Sequence, residues 1–207
     1  MTKSKKIRNG PDLGKYIRKK HRYATYLDAS RLFSIPYYSL IRMAKEANAF
    51  SREMIMKEYI DMVRQKYDFI IIDCMPSLGM MTINALASSD SVLVPIITAY
   101  LSVKGLEQLI ATILKVKRQL NRHLAFEGIL MTMVDFRTVY ARDIFEKVHK
   151  TYSDSIGTFE TYIPISVKAA ETSAEGMSIY KHCGTGKVAL AYESLTREFL
   201  ENNGEGA

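Results

Sequence analysis

The chain has 207 residues, of which 47% are hydrophobic and 25% are charged, and its formal net charge is +7. This composition is typical of a globular protein with one core and a small additional module. The longest apolar runs are too short to span a bilayer, and the basic N-terminus lacks the apolar segment of a secretory signal.

The positive charge is concentrated at the start of the sequence. Residues 1–50 contain 12 of the 29 Lys and Arg residues and 3 of the 22 Asp and Glu residues, a net charge of +9. Residues 51–207 contain the remaining 17 and 19, a net charge of −2. A cationic head on a nearly neutral body predicts a polyanionic partner, with nucleic acid as the first choice and an acidic membrane as the second.

Residues 1–22 predict a basic, flexible arm, and the residues after it predict two short helices. Thr25 can cap the first helix, and Pro36 ends it because proline cannot continue a helix without losing a hydrogen bond. A second helix over about 37–47 has apolar residues at helical spacing. The side chains on its other face that can contact phosphates and base edges in a DNA major groove are Tyr38, Ser39, Arg42 and Lys45.

This part of the chain resembles a known DNA-binding module. The segment YATYLDASRLFSIPYYSLIRMAKEANA, residues 23–49, is similar to the DNA-binding helices of excisionase-like, MerR-related proteins of mobile elements. The resemblance implies a small all-α helix-turn-helix over residues 23–50. The alternative is an amphipathic helical hairpin whose lysines and arginines are merely solvated.

The rest of the chain alternates helices with short apolar strands. Helices are predicted over residues 52–66, 104–119, 138–152 and 187–200, and strands over residues 69–72, 91–96, 127–133 and 159–163. This alternation predicts an α/β fold with a doubly wound parallel sheet. Residues 201–207 predict a disordered tail.

A single aspartate follows the first of these strands. In the sequence YDFIIIDCMPSLG, a strand predicted to be buried brings Asp73 to the carboxyl edge of the sheet, where ligands of α/β proteins bind. P-loop proteins hold Mg²⁺ through an aspartate in such a position. The sequence nevertheless contains no Gly-x-x-x-x-Gly-Lys-Ser/Thr, the loop that binds phosphate. On this pattern alone, Asp73 is equally well explained as the cap of a loop.

Residues 183–188, Cys-Gly-Thr-Gly-Lys-Val, are similar to a phosphate loop only in part. Lys181 stands where the first glycine is required, and Val188 replaces the hydroxyl residue that contacts Mg²⁺. We therefore predict a turn followed by a helix.

From about residue 51 to residue 200 the sequence resembles the C-terminal part of the ParA/MinD/Soj family of chromosome and plasmid partition ATPases. The segments that carry the resemblance are YDFIIIDCMPSLG, TINALASSDSVLVPI, KGLEQLIATI, EGILMTMVDFRT and YIPISVKAAETSAEGMSIY. The resemblance implies an incomplete P-loop NTPase-like sheet, because an unrelated stretch of about 50 residues replaces the family's phosphate loop.

The resemblance also implies roles for individual residues. Asp73 would hold Mg²⁺ through water, and Asp135 and Pro164 lie in two loops that would form a vestigial pocket for the adenine base. No catalytic residue is carried over. The lysines implied to contact DNA without sequence preference, unless they are ordinary solvated charges, are Lys147, Lys150 and Lys168.

Together, these features predict a DNA-binding maintenance or regulatory protein of a mobile element that has no ATP hydrolysis of its own and needs no cofactor. The first alternative is a partition ATPase that binds MgATP when a partner chain completes its site, and the second is a non-functional gene fusion. The expected partners are DNA, a second copy or a complete ParA-type ATPase, and a ParB-type protein, but no membrane. Cys74 and Cys183 predict free thiols, and the expected location is the bacterial cytoplasm, on the nucleoid or a plasmid.

Overall fold

The computed structural model describes residues 23–25, 55–75 and 77–204, which form parallel strands and helices in two compact units. The first unit includes residues 23–25, 55–75, 77–90 and 113–124, and the second includes residues 91–112 and 125–204. The α/β class and the parallel strands predicted from the sequence are confirmed. Four predicted DNA contacts lie outside the described residues, namely Tyr38, Ser39, Arg42 and Lys45.

The first unit is built on a pair of short parallel strands. Its elements are β1 (Tyr23–Thr25), α1 (Ile55–Val63), a short 3₁₀ helix (Arg64–Lys66), β2 (Phe69–Ile71) and α2 (Met80–Ser88). In the strand pair, Tyr23 lies opposite Phe69 and Thr25 lies opposite Ile71. Met56 and Ile60 of α1 are one helical turn apart and are buried in one cluster with Ala85 of α2.

One prediction about this unit is wrong, and another stays a prediction. Thr25 ends β1, and the helix that we predicted to follow it lies outside the described residues. The strand that leads to Asp73 is only half-buried, and Ile71 is 45% exposed. β2 thus obtains a parallel neighbour from residues that we assigned to the helix-turn-helix.

The second unit contains a longer pair of parallel strands. Its elements are β3 (Ser91–Ile97), the first part of α3 (Tyr100–Gln119), β4 (Ala125–Thr132), α4 (Val139–Tyr152), α5 (Val167–Glu175), α6 (Ile179–Cys183) and α7 (Lys187–Asn202). Ser91 lies opposite Ala125 and Ile97 opposite Thr132, with an irregularity between Val92 and Leu93. Gly128 lies opposite Leu93 and has a φ of 136°, a conformation that residues with a Cβ rarely adopt.

The segment 157–165 runs parallel to β4 on its other side. The Phe159 amide donates to the carbonyl of Ile129, and the Ile163 amide donates to the carbonyl of Met131, at 3.0 and 2.9 Å. We predicted a regular strand over 159–163, but only isolated bridges form, at Thr158 and Pro164. The backbone amides of Glu160 and Thr161, between these contacts, donate instead to the carboxylate of Glu198 on α7.

The core of the second unit lies between β4 and the last helices. Its buried members are Leu130, Phe159, Ile163, Ile179, Val188, Ala189 and Leu195. Val188 and Leu195 belong to the apolar face that the sequence predicts for the last helix, because they are two helical turns apart. Across the described ranges, no helix is long and apolar enough to cross a membrane.

Candidate functional site

Asp73 lies in the first unit, two residues after the end of β2, in a loop that leads to α2. The residue is exposed, and within the described part of the chain its carboxylate makes no hydrogen bond or ion pair. The side chain does not cap the loop, since it bonds to none of the described backbone groups. Its two oxygens are therefore open to water and to a hydrated cation.

The thiol of Cys74, the residue after Asp73, has a pKa that its surroundings in this loop raise. Cys74 is a free cysteine on the surface whose Sγ lies 3.9 Å from the carbonyl oxygen of Ile72. Partial desolvation of the thiol, and then the charge of Asp73, raise the pKa of Cys74 above its ordinary value. The thiol is consequently protonated at neutral pH and is a poor nucleophile.

In the second unit, Asp135 and Pro164 lie on adjacent segments at the carboxyl end of β4. The Val134 amide donates to the carbonyl of Ile163 at 3.0 Å, and the Ile165 amide donates to the carbonyl of Val134 at 3.1 Å. The structure therefore brings together the two residues that the family resemblance assigned to one pocket. Met133, just before them, has a φ of 52°, which is uncommon for a residue other than glycine.

The carboxylate of Asp135 already has a partner. Arg137 donates from Nε and Nη2 to the two carboxylate oxygens at 2.8 and 2.7 Å, and its backbone amide donates at 3.2 Å. These hydrogen bonds, the side-chain ones above all, hold the pKa of Asp135 below its ordinary value. Sequence reasoning missed Arg137, because its contact with Asp135 depends on the geometry of the loop.

Large apolar side chains are exposed close to both predicted sites. Beside Asp135 and Pro164 they are Met133, Val139, Tyr140, Ile165 and Val167, and after β2 they are Met75, Leu78 and Met80. Val167, at the start of α5, is 76% exposed. Exposed apolar residues grouped in this way are typical of surfaces that contact another molecule.

The three lysines predicted to contact DNA are all exposed in the second unit. Lys147 and Lys150 are three residues apart on α4 and hence share a face of that helix. Lys168 lies in the first turn of α5, and its Nζ is 3.7 Å from Sγ of Cys183. Residues 183–188 end α6 and begin α7, which confirms the prediction of a turn followed by a helix.

His182, which sequence reasoning did not single out, holds α6 to α5. Its Nε2 and Nδ1 each lie 3.0 Å from a carboxylate oxygen, of Glu171 and Glu175 respectively. These contacts fix the helix that carries Lys168. In the described ranges, no three His, Cys, Asp or Glu side chains are grouped so that they could hold a metal ion.

Comparisons with known proteins match most of the chain. Residues 19–126 match a family described as AAA domain. The sporulation initiation inhibitor protein Soj of Bacillus subtilis is 40% identical over 152 residues, which make up 73% of this chain and 59% of that protein. The chromosome partitioning protein ParA of Myxococcus xanthus is 38% identical over 156 residues, or 75% of this chain and 54% of that protein. The chain thus spans less than two thirds of these relatives.

A solved structure shows the same fold. The crystal structure of a plasmid partition protein from Borrelia burgdorferi B31 bound to AMPPNP has a TM-score of 0.69, covering 91% of this chain and 90% of that one. At 17% identity, this likeness concerns the fold alone.

The family match begins at residue 19 and therefore overlaps residues 19–50, which we predicted to be unrelated to the family. The domain boundaries predicted from the sequence stay predictions. The helix-turn-helix itself stays a prediction. The chain belongs to the family described as AAA domain, and its sequence is similar to those of the ParA-type partition proteins named above.

Proposed function

We propose that this chain is a partition-type protein that binds DNA in the maintenance or regulation of a mobile element and does not hydrolyse ATP by itself. The observation that carries the proposal is a mismatch within the family region. The loop with Asp73 is present, whereas the sequence has no Gly-x-x-x-x-Gly-Lys-Ser/Thr. Phosphate contacts therefore have to come from elsewhere if nucleotide is bound at all.

The residues of this chain fit MgATP only in part. Asp73 is suited to hold Mg²⁺ through water, because its carboxylate is exposed and makes no described contact. Nucleotide phosphates require a loop of backbone amides and a lysine, which this sequence does not supply. Arg137 donates to both oxygens of the Asp135 carboxylate. An adenine base that bonded to this carboxylate would therefore have to compete with Arg137 for it. We conclude that MgATP does not fit this chain alone.

The proposed DNA contacts come from two parts of the chain. Lys147, Lys150 and Lys168 are exposed cations of the second unit. Residues 1–50 add a net charge of +9, and the contacts proposed there are Tyr38, Ser39, Arg42 and Lys45. Lysines that contact phosphates give affinity without sequence preference, so the second unit would bind any duplex.

A second candidate function is favoured by the exposed apolar side chains. They lie in the Asp73 loop of the first unit and, separately, around Asp135 and Pro164 in the second unit, and the family resemblance implies nucleotide contacts for each of these regions. A complete ParA-type ATPase that covers either group would bring the phosphate loop that this sequence lacks. The chain would then take part in ATP hydrolysis as one half of a composite site.

Binding of the full chain to a labelled duplex, followed by fluorescence anisotropy over a series of salt concentrations, tests the DNA-binding proposal. We expect binding that weakens linearly in a plot of log K against log salt, with a similar slope for unrelated duplex sequences. Failure to bind any duplex at low salt would refute the proposal. A Lys150→Ala/Lys168→Ala variant should bind more weakly, whereas Lys66→Ala, which loses one charge in the first unit, should bind like the wild type.

A further inference from the structure

A groove lies between α3 and α4 of the second unit, and Lys147, one of the lysines proposed to contact DNA, is part of its lining. Its volume is about 180 Å³, and its apolar lining comes from Val103 on α3 and from Ile144 and Val148 on α4. Pockets for cofactors and drug-sized ligands usually measure about 300–1,000 Å³. The groove is accordingly too small for a nucleotide and matches a group of a few atoms.

The polar lining of the groove includes two exposed lysines on opposite helices, Lys104 and Lys147. The Nζ of Lys104 lies 5.5 Å from the centre of the Tyr100 ring, a cation–π distance that orients the side chain. No ion pair of either lysine is seen among the described residues. Both ammonium groups are therefore available to an anion.

Two further side chains in the lining, those of Tyr152 and Glu107, affect how strongly the groove would bind an anion. Burial, and then the nearby charge of Glu107, raise the pKa of Tyr152, so its hydroxyl keeps its proton and can donate a hydrogen bond. Glu107 itself lines the groove and opposes an anion. The Thr151 hydroxyl donates to the carbonyl of Lys147 at 2.7 Å and is not a free donor.

We propose that this groove holds one phosphate group of a DNA backbone between Lys104 and Lys147. The inference rests on the proposed DNA binding and adds to it a defined subsite and a residue, Lys104, that the sequence did not single out. A phosphodiester suits the groove because it is a small anion and both lysines line the groove. The apolar lining and the small volume disfavour a larger anionic ligand.

The test is a double-mutant cycle on the full chain with a labelled duplex at several salt concentrations. We expect Lys104→Ala and Lys147→Ala each to weaken binding roughly eightfold at 0.1 M salt, and to lower the salt slope by about 0.9, as for one lost phosphate contact. Because both lysines share one phosphate, the double variant should bind hardly more weakly than either single variant. Glu107→Gln should bind more tightly than the wild type.

Lys115→Ala is the matched control, because Lys115 is an exposed lysine on the same helix that does not line the groove. One outcome is that the wild type binds DNA while Lys104→Ala, Lys147→Ala and Glu107→Gln all show the affinity of Lys115→Ala. That result would overturn the proposed phosphate subsite and leave the proposed function standing. Additive losses at Lys104 and Lys147 would likewise overturn the shared phosphate. If the wild type binds no duplex, the proposed function fails and this subsite fails with it. All the replaced side chains are exposed, so thermal unfolding should show unchanged stability.

Discussion

The ion pair of Asp135 and Arg137 allows a direct test at the scale of a single residue. Replacing Arg137 by glutamine removes the donors that lower the pKa of Asp135, so that pKa should rise toward the usual aspartate value of about 3.9. The carboxyl ¹³C resonance followed over a pH titration measures it. Lys150→Gln removes one exposed charge from the same unit and should leave the pKa unchanged.

The same pair has a defined effect on stability. The pKa of Asp135 is lower in the folded than in the unfolded chain, so the pair stabilises the fold at pH above the usual aspartate value. That contribution is lost as the pH falls through the lowered value. An Asp135 pKa that does not move in Arg137→Gln would show that the contact does not persist in solution.

At the scale of an element, Glu198 explains why segment 157–165 is not a regular strand. Its Oε1 and Oε2 accept hydrogen bonds from the amides of Glu160 and Thr161 at 2.7 and 2.9 Å. In a regular strand the Thr161 amide would point to β4, as the amides of Phe159 and Ile163 do, but here it points to α7. Glu198→Ala leaves both amides without this acceptor and should lower the free energy of unfolding by about 1–3 kcal/mol. Urea unfolding measures the change, and Glu201→Ala, an exposed glutamate on the same helix, should be close to neutral.

Two glycines in the second unit should respond with opposite sign to the same substitution. At Gly128, with φ 136°, a Cβ would lie 3.3 Å from the Phe159 ring, and we expect Gly128→Ala to cost about 1–3 kcal/mol of stability. Gly105 lies inside α3 with open space around it, so Gly105→Ala should stabilise the fold by about 0.5–1 kcal/mol. Equal effects of the two substitutions in urea unfolding would contradict this account.

Elements with a strong apolar pattern could be predicted from the sequence, and elements held by tertiary contacts could not. The helix at 138–152 was predicted because its apolar residues recur at helical spacing, and in the structure the Thr138 side chain caps it. Helix α3 begins at Tyr100, four residues before the predicted start, and the Tyr100 amide donates to the Tyr140 hydroxyl. The helices at 80–88, 167–175 and 179–183 were missed because they are short, and the first two are rich in small residues.

In the candidate sites, too, features that follow from a sequence pattern could be predicted, and features that depend on tertiary contacts could not. Lys147 and Lys150 could be predicted as exposed, since they lie on the polar face of a clear amphipathic helix. The contact of Arg137 with Asp135 depends on loop geometry, and the groove that joins Lys104 to Lys147 depends on how two helices pack. Neither leaves a periodic signal in the sequence.

At the scale of the whole molecule, the alternative of a non-functional fusion makes a testable claim. A functional protein with buried clusters in both units should unfold in a cooperative thermal transition. Differential scanning calorimetry of the full chain measures this. A broad loss of structure without a heat-absorption peak would favour the fusion remnant.

The central claim, that the family region does not bind nucleotide by itself, is tested most directly by calorimetric titration of MgATP into the folded, monodisperse chain, with Asp73→Ala beside it. We predict no binding by either protein, because no phosphate loop accompanies Asp73. Micromolar binding that is lost in Asp73→Ala would contradict the claim. It would show that the chain builds a phosphate site by other means and would place the ATPase function first.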